Sequence, residues 1–171
     1  MTVTQYAMFN VAKAINLDVQ RVLGPPEEGL LADTKFVVPR SIVRGTRGYI
    51  EKITNQANGC YEKGWYDSCA VMVRRLIETL IIEAFEKHAI ATKIKNSQGD
   101  FFYLRDLIGQ SLSEPSWNLS RNCKQALPKL KDVGDKSAHS RRFVAQRGDI
   151  DPLLADIRLV IQEFVFLAGL K

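Results

Sequence analysis

The chain has 171 residues, of which 46% are hydrophobic and 25% charged, and a formal net charge of +5. This length suits one domain with a sizeable core, and the composition excludes disorder of the chain as a whole. The longest apolar stretch, Leu153 to Leu170, is broken by Asp156, Arg158, Gln162 and Glu163. Charges there are too costly for lipid, so the stretch reads as a core helix and no membrane partner is expected.

The N-terminus, Met1 to Asn16, lacks a cationic stretch followed by a clean apolar run, so no secretory leader is read from it. Cys60, Cys69 and Cys123 are an odd number without scaffold-like spacing. They read as buried thiols of a cytoplasmic protein, with neither a disulfide nor a metal site expected.

In chain order, a short amphipathic helix is expected around Val3 to Ile15, with Tyr6, Phe9, Val11 and Ile15 as its apolar positions. Gly24-Pro25-Pro26 and Gly29 then break regular structure. Phe36-Val37-Val38-Pro39 is extended at best, because the residue before a proline is pushed out of the helical region. Residues 1–45 form an irregular lead-in to a helical domain over 46–171. From Ser41 on, Ile42, Tyr49, Ile50, Ile53, Ala57, Cys60 and Tyr61 recur at steps of three and four, predicting a helix that ends near Gly64. Gly-Trp-Tyr-Asp at 64–67 makes a turn, with Asp67 or a neighbour as cap.

The next helix, about Tyr66 to His88, carries the clearest pattern. Cys69, Val73, Leu76, Ile77, Leu80 and Ala84 form one apolar stripe, and Val71, Ile82 and Phe85 lie on a second. A helix apolar on two faces belongs in the middle of a bundle. Arg75 and Glu78 fall on the second stripe, where an unpaired charge is expensive, so the two are expected to pair. After a polar connector at 93–99, Asp100 can cap a helix carrying Phe101, Phe102, Leu104, Leu107 and Ile108. A basic helix starts near Leu119, and Pro128 within it predicts a kink or a break. The last helix opens at Asp149-Ile-Asp-Pro, with Asp151 as cap and Pro152 at the first helical position. It runs to about Gly169. No segment reads as paired strands. The fold class is all-α, a bundle of about five helices.

The basicity is local. From Asn118 to Arg147 eight basic residues face only Asp132 and Asp135, whereas the other 16 basic and 17 acidic residues nearly cancel. Arg121, Lys124, Lys129, Lys131, Lys136, Arg141 and Arg142 are the candidate contacts to a polyanion, nucleic acid foremost; a plain solvated helix face is the alternative. No phosphate-binding loop, dinucleotide fingerprint or zinc-protease motif occurs, and no cofactor is expected. His88 closes a helix, where a cation is favourable. His139 differs, because cations surround it. If its segment is helical, Asp132, Asp135, Lys136 and His139 share one face, and Asp135 can accept a hydrogen bond from the imidazole. Such an imidazole can move a proton on a phosphodiester or simply hold two helices together.

Two stretches carry a resemblance. Residues 60–78, Cys-Tyr-Glu-Lys-Gly-Trp-Tyr-Asp-Ser-Cys-Ala-Val-Met-Val-Arg-Arg-Leu-Ile-Glu, look like a helix pair of domain-of-unknown-function family four-one-four-five. Val133-Gly-Asp-Lys-Ser-Ala-His139 resembles that family's Gly-Asn-x-x-Ala-His signature. The similarity spans roughly residues 46–170. It implies a HEPN-like bundle of the kind found in phage defence, toxin–antitoxin and other nucleic-acid-centred systems. Catalytic members resemble one another in an arginine, four to six residues and a histidine, assembled by two protomers into a metal-independent ribonuclease site. His139 matches the histidine. The positions that should hold the arginine are Asp132, Val133 and Gly134, and Asp135 stands where asparagine is usual.

The expectation is therefore a helical module, a homodimer or a subunit of a larger assembly, that binds RNA, another nucleic acid or a protein partner. Its polar cluster would be Arg75, Glu78, Asp135 and His139. An endoribonuclease using His139, with Arg75 or Arg141 and Arg142 as the cation, is one alternative, and a purely structural interaction subunit is the other.

Overall fold

The structure, a computed structural model, describes residues 36–171 and, before them, Met8, Asn10, Val11 and Ala14. These four positions are helical and exposed; the rest of the helix expected at Val3 to Ile15 lies outside the described residues. The chain divides into two units, Met1–Thr34 and Lys35–Lys171. The helical unit thus begins about ten residues before the expected boundary. Val37 and Val38 explain why: both are fully buried in its core. They sit in a bend whose backbone is held by side chains, since Val38 N–H donates to Asn58 Oδ1 at 3.0 Å and Asn58 Nδ2 donates back to the Val38 carbonyl at 2.8 Å. Arg158 donates to the Phe36 and Val37 carbonyls. A buried segment outside any helix or sheet needs such donors and acceptors for its backbone.

Among the described residues the fold is all-α, with no strand and one isolated bridge, Lys95 to Phe101. The helices are α1 (Arg40–Val43), α2 (Gly48–Glu62), α3 (Tyr66–Lys87), α4 (Leu104–Ser113), α5 (Arg121–His139), α6 (Arg147–Ile150) and α7 (Leu154–Leu167). Short 3₁₀ turns at Ala91–Ile94 and Asp151–Leu153 link them. No described helix is long and apolar enough to cross a membrane.

Helix α3 is the axis of the bundle, packed by α2, α4, α5 and α7. Its two apolar stripes require this, and Leu76, Leu80, Ile81, Ala84 and Phe85 are fully buried. Gly64, with φ of 77°, permits the reversal from α2 into α3, and Trp65 N–H closes the end of α2 on the Cys60 carbonyl at 2.8 Å. Cys69 and Cys123 are buried and Cys60 half-buried, all three as free thiols. Burial pushes the first two up to about 12, out of reach of ordinary thiolate chemistry.

Three local expectations change. Helix α5 runs unbroken through Pro128. Pro128 is exposed, so the carbonyl of Lys124, which loses its amide partner there, lies toward solvent, where water can replace the missing donor. Asp100 caps no helix: its N–H donates to Asn96 Oδ1 at 2.9 Å in a turn, and α4 starts later, at Leu104. Asp151 is not the cap of the last helix either. Gln146 and Asp149 form a capping box on α6, while Asp151 accepts hydrogen bonds from Tyr61 and Arg147.

Two buried carboxylates are neutralised. Glu83 on α3 accepts from Arg47 Nε at 2.7 Å and from the Tyr49 hydroxyl, fastening the start of α2 to the axis. Glu114 accepts from Lys93 Nζ at 2.6 Å and Ser116 Oγ at 2.7 Å. The Lys93 bond, aided by Ser116, lowers its pKa to about 2.

Candidate nucleic-acid interface

Helix α5 begins with Ser120 as its cap, whose Oγ accepts from the Cys123 N–H at 3.1 Å. Cys123, Ala126, Leu127, Leu130 and Gly134 turn inward. With about 3.6 residues per turn, that leaves Arg121 and His139 on one outward line, Lys124 to one side and Lys129 and Lys136 to the other. All five are exposed. Arg141 and Arg142, in the bend after the helix, are exposed as well. The apolar positions of α5 thus force its cations outward, and only Asp132 interrupts them.

The seven sequence-predicted cations divide into two groups. Lys131 is only 19% exposed and is bound to Asp135 at 2.7 Å, a contact that also raises its pKa. Lys129 lies 3.7 Å from Asp156 on α7. Arg121, Lys124, Lys136, Arg141 and Arg142 have no acidic partner among the described residues.

On its inner side α5 meets α3 at a close crossing. A Cβ on Gly134 would lie 2.7 Å from Arg74 Cβ and 3.0 Å from its Cδ, so only glycine lets the two helices touch here. The next residue, Asp135, receives the Arg74 guanidinium: Arg74 Nε donates to Oδ1 at 2.7 Å. Its other oxygen, Oδ2, is the one held by Lys131. Burial alone would raise the Asp135 pKa. The bonds from Lys131 and Arg74 outweigh it and hold the carboxyl below its usual range. Arg74 also reaches Glu78 at 3.5 Å.

The expected cluster of Arg75, Glu78, Asp135 and His139 is therefore not assembled. Arg75 is exposed, and its neighbour Arg74 occupies the position between Glu78 and Asp135. The salt bridge lies at the four-residue spacing from Glu78, which brings helical side chains together as readily as the three-residue spacing of Arg75. No hydrogen bond joins Asp135 to His139; the bonds its oxygens make within the described residues go to Arg74 and Lys131. His139 ends α5 with its ring exposed and no hydrogen bond among the described residues. Gly134-Asp135, part of the resemblance motif, acts here as a helix-crossing device. His88 Nε2 donates to the Leu167 carbonyl, 3.1 Å away, and ties α3 to the end of α7.

Beyond His139 the chain turns on Ser140, whose Oγ accepts from the Phe143 N–H at 3.2 Å. It then returns to the start of α3, where Ala145 N–H donates to Asp67 Oδ1 at 2.9 Å. Between residues 64–68 and 144–146 lies a groove of about 370 Å³. Trp65 and Val144, 64% and 65% exposed, stand at its wall. Sequence patterning passed over Trp65, although a tryptophan in a Gly-Trp-Tyr turn between two helices has no apolar stripe to join.

No family model, curated protein or solved structure matches this chain.

Proposed function

We propose that the chain is a nucleic-acid-binding helical module, HEPN-like in architecture, that holds RNA through its phosphates without cleaving it. One observation carries this reading. Five exposed cations, Arg121, Lys124, Lys136, Arg141 and Arg142, lie along the outward side of α5 and the bend after it, with no acidic partner among the described residues. Over α5 alone, from Arg121 to Lys136, this runs about 22 Å at a rise of roughly 1.5 Å per residue, the length of several nucleotides. Cations left unpaired on one face attract a polyanion through counterion release, whereas cations committed to internal carboxylates do not.

The surroundings of His139 support binding without cleavage. A general base gains from a partner that fixes its tautomer and orientation, and the nearest carboxylate in the sequence pattern, Asp135, is already committed to Arg74 and Lys131.

The test is binding of labelled RNA across a salt series. Affinity should fall steeply as salt rises, and the Lys124→Ala/Lys136→Ala double variant should bind more weakly with a log–log slope smaller by roughly 2. Salt-insensitive binding, or none, removes the proposal. Incubation of the RNA in EDTA should leave it intact with wild type and with His139→Ala alike. Cleavage by wild type that disappears in His139→Ala would replace the binding module with a ribonuclease.

A further inference from the structure

We propose that the groove beside Trp65 is a base-stacking subsite for single-stranded RNA, continuous with the cationic side of α5. This rests on the phosphate-binding reading of α5 and adds to it a preference for single strands over duplex.

The argument starts with Trp65. A tryptophan is the largest apolar side chain, and one left 64% exposed at a tight turn gives up burial it would ordinarily gain. It makes no aromatic contact among the described residues, unlike Trp117, which packs against Phe85 at 4.4 Å between centroids and is only 6% exposed. Facing it, Val144 is 65% exposed, and the space between is about 370 Å³, at the small end of the usual range for ligand clefts and ample for one nucleobase.

Charge decides the occupant. The groove wall itself carries Asp67, whose Oδ1 is bound to Ala145 N–H and whose Oδ2 has no partner among the described residues. A carboxylate there repels phosphate and accepts an amino or imino hydrogen, so the groove suits the base and not the backbone. Phosphate is served a few residues away, where Arg141 and Arg142 directly precede the Phe143-Val144 segment that enters the groove; Arg147, on the far side, is held by Asp151. A strand lying along α5 therefore reaches the groove where its cations end, with an aromatic face for one base and Arg141 and Arg142 beside it. Aromatic platforms joined to a basic track are the physical means by which unpaired strands are held. In a duplex the bases are stacked on one another and cannot enter. RNA is the source of such strands, because loops, bulges and ends display unstacked bases.

Tryptophan supplies its own reporter. Trp65 and Trp117 are the two tryptophans in the chain, and Trp117 is buried, so quenching on binding reports Trp65. The experiment titrates the full chain with a labelled oligoribonucleotide of about twelve nucleotides, and with the same sequence as a duplex, following anisotropy and tryptophan emission together. The single strand should bind more tightly than the duplex and quench the emission. Trp65→Ala should weaken the single strand roughly tenfold and leave duplex binding unchanged, while Trp65→Phe should retain most of the affinity.

RNA that binds with full affinity to Trp65→Ala, or binds wild type without quenching, overturns the stacking subsite while the phosphate-binding reading stands. Equal affinity for single strand and duplex does the same. If neither form binds wild type, both readings fall together. The quenching measurement uses wild type, so it decides the matter even if Trp65→Ala fails to fold.

Discussion

The two sides of α5 use charge in opposite ways. Toward α3, every charge is engaged: Arg74, Glu78, Lys131 and Asp135 form one chain of contacts around a crossing that Gly134 makes possible. Toward solvent, Arg121, Lys124 and Lys136 hold nothing within the described protein. Net charge does not distinguish these roles, and neither does a basic segment in sequence. Only the place of each residue around and along the helix does, because it decides which cations meet a carboxylate and which meet water. Charge that holds the bundle is half-buried and within reach of α3, whereas charge free for a partner is exposed; Lys124 and Lys131, seven residues apart on one line of the helix, differ in their height along it.

The sharpest way to break this comparison is at the crossing. Gly134→Leu must push α3 and α5 apart, since even a Cβ would stand 2.7 Å from Arg74 Cβ. A loss of about 3 kcal/mol in urea unfolding is expected, at the upper end of overpacking costs. A stability unchanged or raised, as for a solvent-facing helical glycine, would mean that the helices do not touch there.

Asp135→Asn keeps the shape and removes the charge, so it should cost less, about 1 kcal/mol, because the carboxylate is 31% exposed. Its pH dependence carries the sign. Folding lowers the Asp135 pKa from 3.8, so its contribution is complete above that value and is lost as pH falls through the folded value. Wild type and variant should differ at neutral pH and converge in acid. A difference that persisted in acid would trace the loss to something other than the ion pair.

On the outward side, the same Lys124→Ala/Lys136→Ala variant that weakens RNA binding should leave stability within about 0.5 kcal/mol, as expected for exposed side chains with no partner. A larger loss would return these lysines to the structural group.

Much of the bundle was legible in the sequence because α2, α3 and α7 bury stripes at three- and four-residue spacing, a purely local signal. The adjacent pair Arg74-Arg75 was not legible. Choosing between them requires knowing which flank of α3 the neighbouring helix covers, and α5 comes some fifty residues later in the chain. Pro128 misled for a related reason. A proline's cost in a helix depends on whether the stranded carbonyl faces water, and the sequence lists the proline without the direction. Glu83 was readable in principle: three residues past Leu80, it falls on the main apolar stripe, where a charge demands a partner such as Arg47. Nothing in the local pattern, however, links residues 64–68 to 144–146. Their groove depends on one long-range hydrogen bond from Ala145 to Asp67.

The uneven burial of the three thiols makes the molecule addressable by alkylating dyes. Cys69 and Cys123 remain protonated at neutral pH and enclosed, so a maleimide has Cys60 to itself. That residue sits five positions before Trp65, on the last turns of α2. A fluorophore attached there needs no engineered cysteine and sits about one helical turn before the reversal that carries Trp65, close enough along the chain to report in real time on what enters the groove.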